Sequence, residues 1–525
     1  MGIHMTGRPR RTVSGAMVVA TALALVLSAC NGSSNLSGEP LASGSTVGGK
    51  ITVAGSLEMP SYDPVKVRAG ELGQNRALWV YDSLLRQNKD GSLTGQLAQS
   101  MTTTDGKTWT MKLRPGVRFT DGTPLDAEAV AFNVKRHQDR ANGSSSFGSF
   151  VDLATVTATD ATTVTYGLKA ANPRFAVVFD QFQSGGLIAS PTALKADPAG
   201  FGRKPIGAGP FTLSEWVADD HATFSKNPKY WNPGRPYLDT IAFKTMTKTA
   251  AGQALLSGDI DWASIVGAFA VQNKDNKNLA LYVGNSSNYG SALAFNMEKA
   301  PGNDLRVRQA VMLAVQPHEM NQIGFGGLWD ENMSCPPFNA ASPLCNQGIW
   351  PKPDLDKAKQ LIADYVKDGN SAEVVWNQLT PALPEFAYLL QQMMEIGLKV
   401  TVKQMDSAEV LADQAEGNYQ LMFSGISPFY DPYPGVYNLL FSKGNNYANA
   451  NIPELDAALK RARDASSDAD LAKAWKDVQE LNAKNAVYIW YGPYLQTKAV
   501  NSKVNMGAGY DGLSVFFGDE VSVKR

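Results

Sequence analysis

From Lys50 to near the C-terminus, stretches with a two-residue hydrophobic period alternate with stretches whose apolar residues recur every three or four positions, and this alternation bounds the fold. "KITVAGSLEM", "KTWTMKLRPGVRF" with its Pro-Gly break, and "DATTVTYGL" read as strands. "QNRALWVYDSLLR" sets Leu78, Tyr81 and Leu85 on one helical face, and "DLRVRQAVMLAV" sets Val307, Ala310, Val311 and Ala314 behind an Asp304 cap. "DLDKAKQLIADYV" aligns Leu355, Ala358, Ile362 and Tyr365; "IPELDAALKRARDA" and "DLAKAWKDVQELNAKNA" continue the helical period. Strands mixed with helices along the whole length predict an α/β or α+β protein, and no solenoid repeat is present.

The N-terminal end has a different character. Arg8, Arg10 and Arg11 precede an apolar run, Ala16 to Leu27, too short to span a bilayer core, which needs about 20 residues. This is the pattern of an export signal, and Leu27-Ser28-Ala29-Cys30 resembles a bacterial lipobox, in which the cysteine takes a diacylglyceryl group and becomes the first mature residue. The alternative is an ordinary secretory signal cleaved nearby. The reading expects residues 1–29 to be a lipoprotein signal peptide and 30–47, rich in Gly, Ser and Asn, to be a flexible tether. The protein is then expected at the extracytoplasmic face of the cell membrane, in the periplasm where an outer membrane exists.

A chain starting at Cys30 keeps 496 of the 525 residues, enough for two or three domains. Without the three leader arginines it carries 45 basic against 49 acidic residues, no electrostatic footprint for nucleic acid. Cys335 and Cys345 bracket "CPPFNAASPLC", a Pro-rich loop in an exported chain; a disulfide is expected, with two free thiols as the alternative. No second cysteine pair or nearby histidine completes a zinc set, so no metal or other cofactor is expected. The four histidines have no ligand-type spacing, and no nucleophile elbow, Walker loop or dinucleotide fingerprint appears. Binding is expected rather than catalysis, with an exported hydrolase as the disfavoured rival class.

Longer blocks go further. "YDSLLRQNKDGSLTGQLAQS" and "DGKTWTMKLRPGVRFTDGTPLDAEAVAFNVKR", then "IGAGPFTLSEW", "NPKYWNPGRPYLD", "LLSGDIDWA", "LAFNMEKAPGNDLRVRQAVMLAV", "EIGLKVTV" and "FYDPYPGVYNLLFS" together resemble the family 5 extracellular solute-binding proteins, the peptide, nickel and opine type of ABC importer. The blocks keep family order from about Ile51 to the C-terminus. As structure, Asp126 is expected to cap a helix with Glu128 in its first turn, and Gly207 and Gly209 to allow a tight turn into "FTLSEW".

The resemblance implies a mixed α/β, two-lobed, periplasmic-binding-protein-like type II fold with a subdomain inserted in lobe I. Lobe I would take 48–75, 203–290 and 491–525, the inserted subdomain 76–202, and lobe II 291–490. Crossing strands near Leu281–Asn296 and Ala486–Tyr491 would be the hinge. The implied partners are a small-molecule or peptide ligand, ABC permease subunits and the membrane through a lipid anchor, with the protein itself a monomer.

Peptide-binding members carry an aspartate four residues before the proline of the "DP" block, for the peptide ammonium. Here that proline is Pro432, and Pro428 stands at the anchor position. No Lys or Arg occurs from Asp368 through Leu398, where dipeptide-type members place a basic anchor, and Ser407 aligns with a tryptophan of such members. Local realignment would make Asp431 the amine anchor, so a peptide receptor is the alternative. Otherwise the expected cleft is aromatic and neutral: Trp376, Asn377 and Gln378, then Phe429, Tyr430, Tyr433 and Tyr437. Flat rings beside amides suit a neutral ligand such as a sugar or small aromatic.

Overall fold

The computed structural model describes residues 41–525 apart from 42–43, 57, 68–70, 89–90, 285–289, 329–334, 341, 381, 384, 426–430, 493–495, 508–509, 511–514 and 525. Cys30 and the whole leader lie outside the described residues, and so do Pro428, Phe429 and Tyr430. Leu41–Arg525 forms one compact unit. Among the described residues no helix is long and apolar enough to cross a membrane.

The chain is mixed α/β, and three of the five sheets among the described residues organise it. The largest has seven strands in the order Leu279–Gly284, Gln496–Asn501, Trp262–Ile265, Lys50–Gly55, Thr240–Thr245, His221–Lys226 and Phe211–Val217. The second has five: Lys399–Met405, Glu373–Leu379, Leu421–Gly425, Ser291–Phe295 and Ile489–Gly492. A four-stranded antiparallel sheet joins Ala98–Thr103, Thr108–Leu113, Thr163–Leu168 and Leu153–Asp160. The chain passes between the seven- and five-stranded sheets from Gly284 to Ser291 and from Gly492 to Gln496, within or beside the two crossing segments expected from sequence.

Side-chain period decides which way each strand faces. In Lys50–Gly55, Ile51 and Val53 belong to one apolar cluster and Ala54 to another, so this central strand is buried on both faces, as parallel pairing with Thr240–Thr245 and Trp262–Ile265 requires. The five-stranded sheet shows the same division. Leu293, Leu421 and Ile489 pack in one cluster, while Ala292, Ala294, Met422 and Trp490 join another that continues into the Leu84–Ile188 region and the 433–478 segment.

Helix boundaries follow their caps. Asp126 accepts from Ala129 N at 2.9 Å and starts Ala127–Gln138, with Glu128 in the first turn and Lys135, Arg136 and His137 in the last. Asp304 starts Leu305–Ala314, and Asp354 starts Leu355–Lys367, whose Ala358, Ile362 and Tyr365 are buried. The expected Leu78, Tyr81, Leu85 face is shorter than its period suggests. Glu71–Tyr81 ends at Asp82, which has φ 61°, and Leu85 opens a strand. Asp82 can hold that left-handed backbone because its buried carboxylate accepts from Ser83 N (2.9 Å), Gln96 Nε2 (2.9 Å), Tyr230 OH (2.6 Å) and Trp231 Nε1 (3.1 Å).

Gly209 has a different reason from the turn expected of it. Its backbone has no positive φ; a Cβ there would lie 2.5 Å from Val80 C and 2.6 Å from Trp79 O, because its N–H donates to Val80 O at 2.8 Å. Cys335 and Cys345 are disulfide-bonded, with Cα atoms 5.2 Å apart.

Candidate functional site

The residues singled out from sequence fall in two places. Asp431 and Tyr433 precede the buried helix Gly435–Leu440, and the structure brings this segment against residues 145–174, which lie around the four-stranded sheet. Arg174 forms an ion pair with Asp431. Asn172 Nδ2 donates to Tyr433 OH at 2.9 Å, Asn438 Nδ2 donates to Ser149 Oγ at 3.1 Å, and Asn445 Nδ2 donates to Ser145 O at 3.0 Å. Arg463 pairs with Asp152 across the same junction. Tyr433 also packs edge-on against Tyr437, ring centroids 5.3 Å apart.

Asp431 is therefore engaged already. Burial pushes its carboxyl up, and the Arg174 guanidinium and the Tyr433 N–H, at 2.9 Å from Oδ1, pull it back. A second acid stands nearby: Asp180 is fully buried, and its Oδ1 accepts from Phe182 N at 2.8 Å. Oδ2 has no hydrogen-bond partner among the described residues. Burial, with Asp431 adding to it, raises the Asp180 carboxyl to about 8.

The second place is the five-stranded sheet. Asn377 and Gln378 are buried on Glu373–Leu379, and Asn377 Nδ2 donates to Asp413 Oδ2 at 2.8 Å. Trp376 corrects an expectation: it is 0% exposed, packed against Phe386 at 5.1 Å between centroids, in the apolar cluster of Leu293, Leu421 and Ile489. A ring enclosed in that way has no face to offer a ligand. Its neighbours in sequence alternate sides, so a one-residue step separates a core indole from Asn377, whose strand partner Met422 belongs to the other cluster.

Arg174 and Asp180 were missed by sequence reasoning because nothing local marks them; Arg174 lies 257 positions from its partner. Among the described residues no group of three or more His, Cys, Asp or Glu is placed to hold a metal ion.

A family model described as bacterial extracellular solute-binding proteins, family 5 Middle, matches residues 92–448. The glutathione-binding protein GsiB of Shigella flexneri serotype 5b (strain 8401) is 26% identical over 453 residues, covering 82% of this chain and 86% of that protein. Three solved structures share the fold. DppA from Helicobacter pylori in complex with the peptide STSA aligns with TM-score 0.82 at 20% identity, over 91% of this chain and 99% of its own. AppA from Bacillus subtilis in complex with a nonapeptide gives 0.82 at 20%, over 92% and 100%. AgaA from A. tumefaciens R10 in complex with agropinic acid gives 0.81 at 20%, over 91% and 99%.

Proposed function

Since this chain belongs to the bacterial extracellular solute-binding proteins of family 5, the substrate-binding receptors of ABC importers, we propose that it is a lipid-anchored receptor for a neutral solute. The family is one of receptors and not of enzymes, which removes the exported hydrolase. Cys30 carries the anchor and residues 30–47 the tether. The ligand is captured by closure of lobe I (48–75, 203–290, 491–525, with 76–202 inserted) on lobe II (291–490). The two passages of the chain between the seven- and five-stranded sheets support this hinge reading.

The observation that carries the ligand class is the Arg174–Asp431 ion pair. A peptide ammonium buried in a cleft needs a carboxylate of its own, because an uncompensated charge is costly. Pro428 supplies none, and Asp431 is already spent on Arg174. Phe429 and Tyr430 are the proposed stacking faces, with Gln378 a proposed amide contact. The complex of AgaA with agropinic acid supports a cleft of this fold taking something other than a peptide. The rival, a peptide receptor anchored on Asp431, requires Arg174 to give that carboxylate up.

Calorimetric titration of the purified protein with neutral sugars, small neutral aromatics and free-amine di- and tripeptides tests the reading. Neutral compounds should bind, with an affinity that changes little between low and high salt, since screening acts on charged partners. Micromolar binding of free-amine peptides, abolished by N-acetylation, would overturn it in favour of the Asp431 anchor.

A further inference from the structure

Residues 76–202, the proposed insertion, are tied to the rest of the chain in two unlike ways. Toward the flanking residues of the proposed lobe I the ties include backbone bonds: Thr120 N donates to Gly207 O at 2.9 Å, Gly209 N to Val80 O at 2.8 Å and Ser190 N to Ile206 O at 3.0 Å. Toward 291–490, no backbone–backbone hydrogen bond and no strand pairing crosses among the described residues. There the ion pairs Arg174–Asp431 and Arg463–Asp152 and the amides of Asn172, Asn438 and Asn445 make the connection, each through a side chain. Segments joined by backbone bonds move as one body, whereas two surfaces joined by side chains can part with both still folded.

The charges at this junction are reciprocal. Arg174 of the insertion meets Asp431 of 291–490, and Arg463 of 291–490 meets Asp152 of the insertion, so each surface offers one cation and one anion to the other. Such an arrangement fixes the register in which two surfaces meet. The fit is close. A Cβ on Gly148 would lie 3.0 Å from Asn438 Oδ1 and 3.1 Å from Asn438 Cγ, while Asn438 Nδ2 donates to Ser149 Oγ at 3.1 Å. Arg174, Asp431 and Arg463 have side chains at most 22% exposed, so salt screens these pairs little and substitution is the sharper probe.

We infer that the insertion is a clasp: it moves with lobe I and docks residues 145–174 on the 431–463 segment, and the two reciprocal ion pairs hold the lobes closed. The inference rests on the two-lobed closure reading above and deepens it, since it names the contacts that are made only when the lobes meet. Contacts confined to the closed form raise its population, and apparent affinity follows that population.

The test uses the full mature chain without added ligand, compared by small-angle scattering, hydrogen exchange read by mass spectrometry, and urea midpoints. Asp152→Asn removes one cross-junction pair and leaves Arg463 with Asp464. Arg174→Gln with Asp431→Asn removes the other without leaving an unpaired charge. Gly148→Cys with Asn438→Cys, oxidised by copper phenanthroline, staples the junction, because Asn438 Cγ marks where the second sulfur would sit. The expected result is a larger radius of gyration and several-fold faster exchange in 145–174 and 431–445 for both charge variants, at urea midpoints close to wild type. The stapled chain should scatter as the most compact of the set and expand on reduction. If all variants match the wild-type radius and exchange, or if the midpoints fall in step with faster exchange, the clasp is wrong and the closure reading stands. If exchange quickens in both segments while the radius stays that of the stapled chain, the insertion parts from 431–463 without lobe movement, and the closure reading fails with the clasp.

Discussion

Arg174 and Asp431, 257 positions apart, meet as an ion pair at the junction between the region of the four-stranded sheet and the segment that leads into Gly435–Leu440. Their side chains are 22% and 11% exposed, so the pair is shielded enough for the loss of one partner to matter. Arg174→Gln should destabilise the fold by about 1–3 kcal/mol, below the range for a fully buried pair because of that residual exposure. The double variant Arg174→Gln with Asp431→Asn should recover much of the loss. Urea midpoints of the three proteins check this, and a single variant as stable as wild type would refute the importance of the pair.

Asp180 makes stability depend on pH in a defined direction. Its carboxyl is raised from 3.8 to about 8 in the fold, so between these values the folded chain holds a proton that the unfolded chain has released. Stability from this group is therefore lost as pH rises from about 4 to about 8, and no further above that. Asp180→Asn keeps an oxygen for the Phe182 N–H and removes the titration. The advantage of the variant over wild type should grow across that window and level off beyond it, as measured by urea midpoints at pH 5, 7 and 9. A constant difference would contradict the assignment.

The Cys335–Cys345 bond closes a loop of sequence separation 10. Constraining so short a loop in the unfolded chain stabilises by about 2–3 kcal/mol. Cys335→Ala with Cys345→Ser should lose that much in urea unfolding, and wild type in reductant should approach the double variant. Two alkylatable thiols in the unreduced protein would disprove the bond in solution.

Cys30→Ala should release the protein from the membrane fraction into the soluble one. Two acyl chains withdraw hydrocarbon from water at about 0.8 kcal/mol per CH₂, enough for lasting attachment where one chain is not. Membrane retention of the variant, measured by fractionation and immunoblotting, would exclude Cys30 as the anchor.

Local chemistry made much of this protein legible before any coordinates. Asp126 and Asp304 announce their helices because an N-cap bond spans only two or three residues. The disulfide loop and the alternating strand and helix periods are likewise short-range, and the ordered blocks from Ile51 onward carried the family. Which side of a sheet meets the core was not legible. Trp376 and Trp490 are both indoles on strands of the five-stranded sheet, yet the first lies in the cluster of Leu293 and Ile489 and the second in the cluster of Ala292 and Met422. A two-residue period says which side chains share a face and leaves open what covers that face. Asp431 shows the same limit for charge. Its sequence neighbours allow an amine anchor, and only the fold brings Arg174 against it, because burial penalises an unpaired carboxylate and nothing local marks a partner 257 positions away.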